Sequence, residues 1–283
     1  MKKRHVSFFT LPLLLLPLVL HGQVYTEGNT SPSQSISAPV YNGGSTVSIG
    51  ITASGALLIG DGGSATGGAF YLGSASSAVG ELSLLGGTLV STNTFSVGYS
   101  GSGLLRIADG EAAFGSLYVG DWANSQGTVT LSGGSLTVDG TTCVGRYGSG
   151  GLLVNGGTAT LGNTWAGYWT RSTGIITVSS GSLTTTGNAN IGYSGSGQLW
   201  ISGGTFAPRS LSVADRTNSS GMITLSGGSL TITGGSGLYF YVGNLGSGSM
   251  LINGGSARLG TTVSVGNTAG GTGAVTLASG SLT

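Results

Sequence analysis

Asp109 and Glu111, two positions apart, are the best local carboxylate pair for acid–base chemistry in the 283-residue chain. A glycosidase needs two carboxyls about 5–10 Å apart, one to protonate the leaving oxygen and one to assist or attack. Asp109, however, stands where neighbouring repeats carry the first glycine of a turn, and Glu111 then reads as its solvated neighbour. Both histidines, His5 and His21, and both lysines lie within the first 22 residues. Once that segment is removed, no histidine remains for a serine–histidine–aspartate triad. A calcium-binding β-roll needs an aspartate recurring with its glycines, and the stretch GGSGLYFY at 234–241 has none. Cys143 is the single cysteine, so no intrachain disulfide forms. A lone thiol without a histidine partner reads as inert. No catalytic residue, metal or cofactor is expected.

One outward feature rises above this background. A Val-Gly or Ile-Gly pair recurs along the chain, and the two positions after it carry unusual residues. They hold Tyr99, Asp121-Trp122, Arg146-Tyr147, Tyr168-Trp169, Tyr193 and Asp215-Arg216. Trp122, Tyr147 and Trp169 are expected to form one column over three successive repeats, with Asp121 and Arg146 as opposite charges in adjacent ones. Arginine beside aromatic rings can stack on them. The bland reading is a ladder that steadies the turns, since aligned pairs contribute some tenths to about 1 kcal/mol. The functional reading is a ligand strip of Tyr99, Trp122, Arg146, Tyr147, Tyr168, Trp169 and Tyr193, because rigid exposed aromatics make good contact anchors.

The elements that must hold these residues follow from composition and period. Lys2, Lys3 and Arg4 precede an apolar run from Val6 to Leu20, and small Gly22 can precede a cut. Residues 1–22 therefore read as a secretory signal peptide. Pro12, Pro17 and the short span disfavour a transmembrane helix, and no later stretch is long and apolar enough to cross a bilayer. The remaining chain has six arginines and eight acidic residues, a net charge of −2, and no basic patch for nucleic acid. Residues 23–49, with Pro32 and Pro39 among serines and threonines, read as a linker or N-terminal cap.

From 50 to 283 the chain repeats itself. With 58 glycines and no Gly-X-Y period, collagen is excluded. The glycine slot falls at Gly87, Gly110, Gly134, Gly157, Gly181, Gly204 and Gly228, at alternating intervals of 23 and 24, then at Gly255 and Gly280. Gly62 marks an earlier, looser copy. Within Gly127 to Val138, Val129, Leu131, Leu136 and Val138 alternate with threonines, and Gly133-Gly134 breaks the run. Period-two alternation places one face in and one face out. Each unit then holds three short strands, which wrap once around a shared core. The expected fold is all-β, a parallel β-helix solenoid of about nine coils. A single coil cannot stand alone, so stacking with its neighbours is required. The rival is a propeller with one 47-residue blade per double unit. Its blades need four differing strands, whereas here each half of the 47 repeats the other.

The stretches GTVTLSGGSLTVDGTTCVGRYGSG and GMITLSGGSLTITGG resemble the repeats of autotransporter passengers and of PEP-CTERM-type exported proteins of Gram-negative bacteria. That resemblance covers residues 50–283 and implies a right-handed β-helix, secreted or held at the outer-membrane surface, with adhesive or structural roles. Glycans or cell-surface components are the partners expected of the strip, besides the export machinery that reads the signal. This chain departs from those families in having no translocator barrel or sorting motif, and Ala274 to Thr283 end in mid-unit, as in a fragment of a longer protein. Three functions remain open: a structural or adhesive surface solenoid, a carbohydrate-binding solenoid using the strip, and the scaffold of a polysaccharide-degrading enzyme.

Overall fold

The computed structural model describes residues 24–28, 30–31, 40–42, 44–234, 239–260 and 262–283. The segment read as a signal peptide, and Pro32 and Pro39 of the expected linker, lie outside these residues. The described chain is all-β, and its strands wind into a parallel solenoid of about ten turns. No propeller blade is present among the described residues, because successive units pair in parallel rather than forming separate sheets.

Each coil has three walls. The first wall contains Val79–Leu84, Ser102–Ile107 and Gln126–Leu131, paired in register from Leu82 to Leu105 to Val129. The second wall contains the strand starts at Thr88, Glu111 and Ser135. The third ends at the apolar landmarks Val97, Val119 and Val144. Alternation decides which side chains enter. Gln126–Leu131 reads exposed, buried, exposed, buried, half-buried, buried along the strand, so Val129 and Leu131 face inward and Thr128 faces water. The inward column Leu82, Leu105, Val129, Leu152, Ile176, Leu199, Ile223 and Met250 is shielded throughout. Such columns supply the burial that stacking alone makes available to short strands.

At the start, Val24–Gly28 runs antiparallel to Gly55–Ile59, and Thr30–Ser31 antiparallel to Thr46–Ile49. Parallel winding already joins Val40–Asn42 to 64–66 and Thr46–Ile49 to Ala69–Leu72.

The corner between first and second walls carries a glycine in coil after coil, at positive φ in most of them though not at Gly204. Gly134 there has φ +64°, and a Cβ at this position would lie 2.2 Å from the Gly110 carbonyl oxygen of the coil below. Both the backbone conformation and the stacking distance therefore require glycine. The other two corners alternate. Eight positions separate Leu136 from Val144 across the second corner, but seven separate Ala112 from Val119. Across the third corner the order reverses, with eight positions from Val119 to Gly127 and six from Val144 to Gly150. A coil that is roomy at one corner is tight at the next, which is why similarity is strong at two units.

The lining of the second corner changes along the rod. Phe70, Phe95 and Phe114 stack with ring centroids 5.2 and 4.3 Å apart. Farther on, Thr142, Thr164 and Thr185 occupy the interior, with hydroxyls that reach no hydrogen-bond partner.

Candidate functional site: the aromatic third corner

The third corner displays the residues singled out in the sequence. Three of its longer loops are each braced by one serine. Ser125 Oγ donates to the Trp122 carbonyl at 2.7 Å and accepts from the Trp122 N–H at 3.2 Å. Ser172 Oγ donates to the Trp169 carbonyl at 2.7 Å, and Ser219 Oγ to that of Arg216 at 2.6 Å. Asn124, Arg171 and Asn218 turn these loops with φ of 65°, 71° and 62°. Short polar side chains tolerate that left-handed region best, so two of the three are asparagine. The bracing holds Trp122 and Trp169 outward, 55% and 44% exposed, with Tyr147 between them at 42%.

The rings form two groups rather than one strip. Tyr71 touches Tyr99 at 4.7 Å, and Tyr99 meets Trp122 edge-on at 6.0 Å. In the second group Tyr147 stacks on Trp169 at 5.5 Å and 12°. Tyr168 contacts Trp169 at 5.5 Å, stacks on Tyr193 at 5.2 Å and leans on Trp165 at 5.2 Å. The expected single column of Trp122, Tyr147 and Trp169 is therefore divided. Only its Tyr147–Trp169 half is a stack.

Between the groups lies the charge pair. Asp121, 2% exposed, accepts from Ser96 Oγ at 2.7 Å and from Arg146 Nη1 at 2.8 Å. The Arg146 guanidinium lies 4.2 Å over the Tyr118 ring and 5.4 Å from that of Tyr147. Burial pulls the Arg146 pKa down, but the hydrogen bond and charge of Asp121 outweigh it and hold the arginine above its usual range. A buried carboxylate held by two donors is positioned for structure, because its lone pairs are already engaged.

Cys143 has outward parity, in register between Tyr118 and Trp165, yet it is buried. Its large neighbours lie over the small thiol. Burial pushes its pKa up to about 12, against a smaller lowering by Arg146. Burial likewise raises Tyr168 and Tyr71. Asp109 is exposed, and its Oδ1 accepts the Gly110 N–H at 2.8 Å, closing its own turn.

Tyr71, Tyr118 and Trp165 belong to the corner, though the strip read from the sequence left them out. Each directly precedes an apolar landmark, at Leu72, Val119 and Ala166, so the outward position before the landmark carried the signal. Among the described residues, no group of three or more His, Cys, Asp or Glu side chains gathers to hold a metal ion. No described helix is long and apolar enough to cross a membrane. The fold and corner together define a three-walled parallel β-solenoid with an aromatic edge. No family model, curated protein or solved structure matches the chain.

Proposed function

We propose that this chain is an exported, non-catalytic solenoid that serves a structural or adhesive role at a bacterial cell surface. The observation that carries this reading is the exposed, serine-braced aromatic corner on a regular rod. Rigid aromatics lose little conformational freedom on contact, which suits them to surface attachment. The leader read in residues 1–22 and the repeat resemblance support export to the outer-membrane surface. Protease shaving and fractionation of Gram-negative cells producing the full chain test it. Removal of the chain from intact cells is the expected outcome. Recovery of unprocessed chain in the cytoplasm refutes the reading.

A second reading, a carbohydrate-binding solenoid, is favoured by the near-parallel Tyr147–Trp169 stack with both rings exposed. Flat ring faces suit the C–H faces of sugars while the edges remain wet. Trp122→Ala and Trp169→Ala should then lose glycan affinity while the far-ultraviolet circular dichroism stays unchanged. Equal glycan binding by both variants and the parent removes this reading.

A further inference from the structure

The outward column just before the third corner runs Trp165, Asn190, Ser212 and Tyr241 in four successive coils, each in register with the next. Two small polar residues between two aromatic ones leave a notch of about 440 Å³. It is also lined by Asn188, Tyr193, Ser210, Asp215 and Arg216. Its aromatic ends are three coil steps apart, about 14 Å between backbones at about 4.8 Å per step.

The notch is built from groups that face each other in a fixed order. Ser210 Oγ donates to Asn188 Oδ1 at 2.7 Å, and Ser212 Oγ donates to Asp215 Oδ1 at 3.1 Å. Asn244 Nδ2 also donates to Asp215 Oδ1, at 2.9 Å. Arg216 Nη2 donates to Tyr193 Oη at 2.8 Å, its guanidinium lies 5.0 Å from that ring, and its Nε is 3.5 Å from Asp215. Trp165 meets Tyr193 at 6.2 Å and closes one end. Asn190, 9% exposed, makes no side-chain hydrogen bond to another described residue. Its carboxamide atoms reach solvent, so two donors and an acceptor stand open to the notch.

We propose that this notch binds a neutral saccharide of one or two pyranose rings, with Trp165 and Tyr241 against its C–H faces and Asn190 paired to its hydroxyls. Asp215 and Arg216 compensate one another, so no net charge draws an ionic ligand. The polar floor disfavours a purely apolar one. Concave sites that join flat apolar walls to a few placed polar groups are the usual form for small ligands. The proposal shares sugar chemistry with the second reading above but uses the notch instead of Trp122, Tyr147 and Trp169, so each can fail alone.

The test is a ¹H–¹⁵N NMR titration of the full chain with neutral cello-, malto- and β-1,3-gluco-oligosaccharides, and with oligogalacturonides as an anionic arm. A neutral oligosaccharide should shift the amides of 188–193 and 210–216 at low-millimolar concentration. Ser212→Tyr, which fills the notch with a ring that the same column already carries elsewhere, should weaken that binding at least tenfold without unfolding the rod. Trp122→Ala with Trp169→Ala should leave it unchanged. The proposal is overturned by silence across the neutral panel, by shifts that survive Ser212→Tyr, by shifts confined to 121–122, 146–147 and 168–169, or by preference for the oligogalacturonides.

Discussion

The first and third corners turn the same chain by different means. At the first corner, glycine meets glycine from coil to coil, and a Cβ on Gly134 would enter the backbone below. At the third, loop length alternates and the tips carry tryptophan, tyrosine, arginine, aspartate and asparagine. Where coils approach too closely for side chains, the sequence is uniform. At the third corner the loop backbone still pairs with the coil below, as in the Trp122 N–H to the Tyr99 carbonyl and the Trp169 N–H to that of Arg146, and only the side chains at the tips are free to vary. Both corners keep the coils in phase, and the third also displays side chains that can carry function.

Substitutions rank these corners. Gly134→Val should have the largest effect, at least about 3 kcal/mol, because a β-branched residue is strained at positive φ and has no room. Urea unfolding followed by circular dichroism reads it, and a loss below about 1 kcal/mol would mean that coils can move apart there. Arg146→Ala should cost about 2–4 kcal/mol, since Asp121 would stay shielded with only Ser96 as partner. If Arg146→Ala costs no more than an exposed arginine substitution, the third corner has no structural charge pair.

Cys143 gives a pH test of the same corner. Its thiol titrates near 9.0 when free and at about 12 when folded, so the folded state keeps a proton that the unfolded state releases. Stability is therefore complete well below pH 9 and declines as pH rises from about 9 toward 12, by about 1–2 kcal/mol at pH 10. Comparing Cys143→Ala with the parent isolates this slope, and identical profiles would show that the aromatic cover is open. The smallest effect is expected at Ala214, where alanine replaces the landmark glycine and holds φ at 55°. Ala214→Gly should stabilise by a few tenths to about 1 kcal/mol, because relief of the left-handed strain exceeds the added chain entropy. A destabilised Ala214→Gly would mean that the methyl group packs usefully.

The inward columns were legible because alternation within a strand has only two phases, and Leu or Val at every second position fixes one of them. The expected count of about nine coils agrees with the observed winding of about ten turns, the looser unit with Gly62 being the earliest. The Asp121–Arg146 pair was legible from adjacent landmarks. The division of the aromatic column was not, because Trp122 and Trp169 sit on equally long loops on either side of Tyr147, and the repeat makes them equivalent. Period alone placed them side by side. The notch escaped for a related reason. Asn190 and Ser212 are 22 positions apart, Trp165 and Asn190 are 25, and Ser212 and Tyr241 are 29, so no single repeat length aligns them.

The trade of residues between the second and third corners also sets how such a rod can grow or shrink. Removing one coil would place two roomy corners, or two tight ones, on top of each other. Gain or loss of 47 residues leaves each remaining coil with a neighbour of the kind it had before. Length would then change by duplication or deletion in steps of two coils, about 9.6 Å at about 4.8 Å per coil. The fold is in that sense a ruler graduated in pairs, and its genetic unit is twice its structural one.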